Sequence, residues 1–549
     1  MSNGAALLWR IWRGGDNTVR RLMVEQPLRA AAVTTVIGLV WLLIFGVAWI
    51  FLEFMSQSRY ASLKGPLVKS LLTLFFFALF FLVTISNALV VWGNLFRTRG
   101  ALYQAQLPVS NRSLFWGATV EGGLWASWAV LVLAVPLVAA LSRESHQLLY
   151  FLPTAMLVLL SFLLCCMAGG ALGAIILARA IPILRKGMRA FIVTVLILLA
   201  LGIITVVNSL DQSGGMGTDF LRRVMGRISF VENPYLPPLW AQRALAAAAR
   251  SDWSQWTYFV SLMLLSASAL AIAGEWLAAR RLRIDMDLLC GRGDSHRAGR
   301  SKDWRPLRFL PHDLGVLVAK DIRLFVRDPA QILQFAMFFG MLGFYILLLP
   351  RIGQAFLEWD WWRKAVSLLN LTAVSMALAT FTGRFVFPLL SLEGRRLWVL
   401  ILAPWPAHRI VTAKFAFALI VGVPVSVVLV TLSGILLQLT PQVICYQALV
   451  TICMGLGLSA GALGLGARLA DYNEENPAKL VSGYGGTVNL LASLVYAGLL
   501  LTGAAFPLLA PDSALGWIGG LAWTLGITAV WTFIGMRVAW RWFGHEEVG

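Results

Sequence analysis

Side chains that could do chemistry are sparse in this 549-residue sequence, and none forms a familiar catalytic set. The string GLSAG at 457–461 fits the Gly-x-Ser-x-Gly pattern of a nucleophile elbow, but that pattern needs a strand–turn–helix setting and a histidine partner. Here it lies within a long apolar run, while His146, His296, His312, His408 and His545 all lie outside such runs. Cys165, Cys166, Cys290, Cys445 and Cys453 have neither the spacing of metal ligands nor that of a disulfide framework. No catalytic residue and no metal site are therefore expected. Nucleotide hydrolysis commonly relies on G-x-x-x-x-G-K-[ST], a loop whose amides cradle phosphates and whose lysine reaches them; no Gly-Lys dipeptide occurs anywhere in the chain.

What remains is charge in unusual places. Arg384 is the one arginine well inside an apolar run, where a charge is costly unless paired or wetted. It either lines a pathway, meeting an anionic lipid or substrate, or snorkels to an interface, since Glu393 and Arg395 follow within three turns. Glu121, near the start of another apolar run, carries the same two readings. Glu275, before WLAARR, marks a membrane edge.

These groups must be positioned by helices in a bilayer. With 59% hydrophobic and 13% charged residues and a mean hydropathy of +0.77, the chain is too apolar for a soluble globular protein. A helix needs about 20 mostly apolar residues to cross the hydrocarbon core, with its backbone groups paired internally. Such runs fall at 32–53, 70–95, 117–141, 149–178, 188–208, 255–279, 330–350, 366–390, 410–437, 443–467, 483–504 and 514–536. The expected fold is all-α and polytopic, with about twelve transmembrane helices. A transmembrane barrel is excluded because the runs lack strict alternation. With the N-terminus cytoplasmic, the inner connections and helix ends hold 32 of the 45 Lys and Arg and the outer ones 12. This predicts a bacterial plasma (inner) membrane protein with both termini cytoplasmic, by the positive-inside rule. Membrane lipids are expected partners and nucleic acid is not, because the basic residues are spread over loops.

The chain reads as a tandem repeat. VRRLMVEQP before the first span matches DIRLFVRDP before the seventh, aligning Pro27 with Pro329. After the second and eighth spans Pro108 aligns with Pro404, and GALGA at 170–174 matches GALGL at 461–465. The predicted organisation is a first transmembrane domain over 1–280 with an external segment at 209–254, a cytoplasmic linker over 281–312, and a second domain over 313–549. Gly169, Gly170, Gly173, Gly457, Gly461 and Gly464 permit close helix approach, with ordinary packing as the simpler reading. Phe220, Val224 and Ile228 in the external segment suit a lid or an interfacial helix, and the acidic stretch 471–479 suits a contact with a partner subunit or a solvated loop.

Each half begins with an amphipathic stretch: Leu314, Leu317, Val318 and Phe325 recur at helical spacing, and Leu8, Ile11, Trp12, Val19, Leu22 and Met23 do likewise near the start. Each half also carries an inner connection with a basic start, an apolar stretch, a proline and then an arginine: LPVSNR at 107–112 and APWPAHR at 403–409. Ser110 is placed to cap the next helix.

At these residues the chain resembles the exporter-class, type-two permeases of ATP-binding cassette transporters, which have six helices per unit, an elbow helix before the first and a coupling helix between the second and third. The resemblance covers most of the chain as architecture and implies two six-helix domains fused in one chain. It implies an exporter permease subunit, not itself an enzyme; a mostly apolar pathway with few fixed charges would suit a lipid, hydrophobic peptide or drug as cargo. The resemblance assigns ATPase coupling to Leu107, Pro108, Val109, Ser110, Asn111, Arg112, Pro404, Trp405, His408 and Arg409. The partner it implies is a separate cytoplasmic ATPase in two copies, holding ATP and Mg that this chain would lack. A secondary transporter of the major-facilitator type fits the twelve-helix count but not the missing loop motif or the scarcity of central acids. A non-transporting membrane scaffold is the third reading.

Overall fold

The computed structural model describes residues 61–96, 108–142, 150–180, 233–290, 311–353, 360–397, 405–470, 484–509 and 513–545, with scattered positions at 34–53, 103, 106, 400, 402, 472, 480 and 481. Among the described residues there is no strand; the elements are helices. They divide into two compact units, residues 1–193 with 215–297, and residues 194–214 with 298–549.

Unit 1 holds α1 (Ala61–Phe96), α2 (Asn111–Leu141), α3 (Tyr150–Ala180), α4 (Pro237–Ala249) and α5 (Trp253–Cys290). The start of α2 is set locally: Ser110 is extended and its side chain accepts from the Ser113 amide at 3.2 Å, satisfying one of the orphan donors at a helix N-terminus. Pro237 and Pro238 open α4, where a missing N–H costs nothing, and its Leu239, Ala241, Ala244 and Leu245 are buried. α4 packs on α1 and α5, so the described end of the expected external segment is part of the unit's core. Phe76 and Phe162 meet edge to face at 5.2 Å near its centre. Where α3 crosses α1, a Cβ on Gly170 would lie 2.8 Å from the Thr84 carbonyl oxygen, so glycine is required there.

Unit 2 holds α6 (His312–Arg327), α7 (Pro329–Gly353), α8 (Asp360–Phe381), α9 (Ala407–Leu436), α10 (Pro441–Arg468), α11 (Tyr484–Leu509) and α12 (Ala514–His545). α10 is its central element, in contact with α8, α9, α11 and α12. Its approach to α12 is backbone to backbone: a Cβ on Gly464 would lie 2.6 Å from the Gly535 carbonyl oxygen. α6 is amphipathic and buries Leu317, Val318 and Phe325, while Val316 and Leu324 are exposed. Pro329 disfavours helix at Asp328, and the axis turns by 83° into the 331–346 helix. Phe325 anchors α6 against Phe335, Phe385 and Phe417 with ring centroids 5.8, 5.4 and 5.9 Å away. After α8 the chain leaves α geometry: a π turn at Thr382–Val386 is followed by 3-10 turns at Phe387–Leu389 and Ser391–Arg396.

Among the described residues eight helices are long and apolar enough to cross a membrane, or nine if α6 and the 331–346 helix are one broken span. The eight coincide with the expected runs at 70–95, 149–178, 255–279, 366–390, 410–437, 443–467, 483–504 and 514–536. The runs at 117–141 and 330–350 lie within α2 and α7, the run at 32–53 is described only in part, and 188–208 lies outside the described residues. Residues 1–31, Phe220, Val224, Ile228 and the stretch 473–479 also lie outside them. Residues 281–290, expected to begin the linker, instead continue α5, because Leu282 and Met286 keep an apolar face buried there.

Candidate functional site

Two joints gather the charged residues, one in each unit. In unit 1 the N-terminus of α2 is strapped to the last turns of α5. Glu275 forms an ion pair with Arg112, Nε to Oε1 3.2 Å, and accepts from Trp116 Nε1 at 3.0 Å. Asn111 donates to the Ala279 carbonyl at 3.1 Å, and Arg283 donates to the Val109 carbonyl at 2.9 Å. Beside it on α5, Asp285 accepts from Arg179 of α3 at 3.1 Å, and Arg179 also donates to the Leu277 carbonyl at 3.2 Å. Arg280 stacks on Trp276 with its guanidinium carbon 3.8 Å from the ring centroid.

Unit 2 uses a different construction. Lys414 in α9, Asp321 and Lys320 in α6 and Glu393 in the 3-10 turn form a charge-balanced quartet. Lys414 lies 3.2 Å from Asp321 Oδ1 and is hydrogen-bonded to Glu393; Lys320 lies 2.5 Å from Glu393 Oε1 and 3.5 Å from Asp321 Oδ1. The side chains of Lys414 and Asp321 are each 2% exposed, Glu393 is 13% exposed and Lys320 33%. Charges this enclosed persist only with close opposite partners. The broken end of α8 delivers Glu393: Pro388 interrupts the helix, and Gly394 at φ 45 turns the chain toward the Tyr472 carbonyl. A second pair, Arg409 to Asp313 at 2.6 Å, joins α9 to the first turn of α6, and Trp405 packs against the unit 2 core.

The sequence-derived residues are thus placed unevenly. Val109, Asn111 and Arg112 belong to the unit 1 joint, where Ser110 caps α2 and Pro108 is exposed. Trp405 and Arg409 belong to unit 2's joint, and His408 beside them is exposed; Leu107 and Pro404 lie outside the described residues. Arg384 sits on the π turn, 6.0 Å from the Phe338 ring centroid, and Glu121 is partly buried on α2. Ser459 of GLSAG is buried in mid-helix, without the strand–turn–helix bend a nucleophile elbow requires. The quartet is the feature that sequence reasoning missed, although a signal exists. Asp321 stands four residues after Leu317 and four before Phe325, which puts an acid on the apolar stripe, and Lys414 falls inside an apolar run.

Helices of membrane-crossing length around two ion-paired joints define a polytopic helical protein. The chain belongs to a family described as "Putative ATP-binding cassette", whose model matches residues 21–542. Neither a curated protein nor a solved structure gives a significant match. The family match corrects the functional expectation. The resemblance to exporter permeases implies a subunit that is no enzyme and has no nucleotide-binding part; a match to an ATP-binding cassette family over nearly the whole chain overturns both statements and points to an ATP-binding subunit. The physical reason lies in what one missing motif can exclude. Lack of a Gly-Lys loop removes one geometry for cradling phosphate, and phosphate can be held by other amides and cations.

Proposed function

We propose that this chain is a membrane-embedded ATP-binding-cassette subunit in which nucleotide binding is linked to movement of the spans through the two joints. The observation that carries the reading is the family match over residues 21–542, taken with eight helices apolar enough to cross a bilayer in the same chain. The joints are its mechanical part: each connects the inner end of one helix to another by charge rather than by apolar packing alone, so displacement of one element is transmitted to the next. ATP with magnesium is the ligand class, membrane lipids are direct partners, and the basic bias of the inner connections supports a bacterial plasma membrane with cytoplasmic termini.

The test uses the protein extracted from its own membrane in mild detergent, with whatever accompanies it. A photoreactive ATP analogue is expected to label this chain in competition with ATP. Spin labels at the exposed positions Val316 of α6 and Val428 of α9 are expected to change separation when ATP is added with magnesium. Absence of labelling on this chain together with an unchanged separation would overturn the reading.

A further inference from the structure

The quartet in unit 2 contains an asymmetry of its own. Its inner trio, Lys414, Asp321 and Glu393, carries one positive charge against two negative ones, and no member is more than 13% exposed. Burial strips hydration from charge, so a trio with a net charge of −1 is costly to enclose. Lys320 cancels that charge, yet it is the member with most access to solvent, at 33%, and it stands on a flexible four-carbon stem. Both lysines contact the same oxygens, Glu393 Oε1 and Asp321 Oδ1, whereas Asp321 Oδ2 is buried without a hydrogen-bond partner among the described residues. Among the described residues the trio therefore keeps unused acceptor capacity and has one outer cation, Lys320, for neutrality.

We propose that Lys320 is a releasable counter-ion, a bolt that holds α6 on the spans of unit 2. While it is in place, α6, the turn at Ser391–Arg396 and the first turns of α9 form one block. When it swings into solvent, the buried charge of −1 left behind drives α6 to loosen from α9, about the pivot given by Phe325 and the bend at Pro329. The device is one-sided. With the repeat landmarks aligned, the positions of Lys320, Asp321, Glu393 and Lys414 correspond in the first half to Thr18, Val19, Arg97 and Ala118, a set with no acid. The bolt concerns how α6 is held, with or without nucleotide, so its test reads α6 docking alone and can fail independently of the ATP-linked function.

The experiment is amide hydrogen exchange of the full chain in lipid nanodiscs, comparing Lys320→Gln, Lys320→Arg, Asp321→Asn and the double variant Lys320→Gln with Asp321→Asn. Lys320→Gln is expected to speed exchange across Val318–Phe325 by about ten- to a hundredfold, the scale of one charged hydrogen bond, while α10 keeps its protection. Lys320→Arg should stay close to wild type. The double variant is decisive, because Lys414 and Glu393 then remain as a neutral pair: charge balance requires protection of α6 to recover toward wild type. Loss of contacts alone would make the double variant worse than either single one, and that result, or an inert Lys320→Gln, would overturn the proposal. Should Lys320→Gln fail to fold, recovery in the double variant still decides the matter in the same direction.

Discussion

The two units secure their charged helix joints by opposite physical means. Unit 1 spreads the task over several contacts: Arg112, 70% exposed, pairs with Glu275, Arg179 pairs with Asp285, and Asn111, Trp116 and Arg283 add single hydrogen bonds. The exposed ones among them are screened by water and salt and are individually weak. Unit 2 concentrates it in a buried quartet in which each charge depends on the others. A strap of weak contacts can peel one contact at a time; a buried quartet holds or fails as a unit.

The largest expected effect follows from that contrast. Lys414→Met leaves two buried carboxylates facing one half-exposed lysine, and removing one partner from a buried pair costs about 3–5 kcal/mol. Arg179→Met in unit 1 breaks a pair whose cation is 32% exposed and should cost about 1–3 kcal/mol. Thermal unfolding in detergent, with hydrogen exchange to assign the loss to a unit, measures both. Equal losses in the two units would erase the distinction. Adding Asp321→Leu to Lys414→Met should recover part of the stability, since an apolar replacement for a buried ion pair is tolerated better than half of one.

How much of this could be read in advance differs between fold and site. Eight of the anticipated runs coincide with helices long and apolar enough to span, because a bilayer imposes length and apolarity locally on each segment. Ser110 likewise caps α2 through atoms three residues apart. The quartet was hidden for the converse reason: Lys320 and Glu393 are 73 positions apart and Asp321 and Lys414 are 93, so no local pattern joins them. Lys414 inside an apolar run signals that a partner is needed, but only the turn at Ser391–Arg396 shows which one by bringing Glu393 to it. The functional expectation failed on a different ground, since it treated one absent loop motif as absence of nucleotide binding, against which the family match stands.

The crossings of the repeated glycine segments come next in size. Gly464→Leu must displace the Gly535 backbone, and Gly170→Leu that of Thr84, so each should cost about 1–3 kcal/mol by overpacking. Gly173→Ala is the internal control. Its Cβ would meet Ala88 Cβ at 3.6 Å, an ordinary contact, so the variant should unfold near wild-type temperature. A Gly170→Leu variant that unfolds like Gly173→Ala would mean that α3 can slide on α1 at no cost, and unit 1 would then be the more deformable unit in its core as well as at its joint.

The smallest effect bears on the comparison most directly, because it matches like with like. Arg112–Glu275 and Arg409–Asp313 are the exposed pairs of the two joints, at 3.2 and 2.6 Å. Double-mutant cycles to alanine should give each a coupling of about 0.2–1 kcal/mol, weakened further in high salt. The two pairs differ in what surrounds them. Glu275 also accepts from Trp116, so Glu275→Ala should cost more than Arg112→Ala and the excess should vanish in a Trp116→Phe background. Asp313 is 40% exposed and already lies within the first turn of α6, where the helix dipole favours an acid, so Asp313→Ala should lose that contribution even after Arg409 is gone. A coupling above about 2 kcal/mol in the Arg409 pair would move it from the exposed class to the buried one, and the unit 2 joint would then have six members and a second point of release.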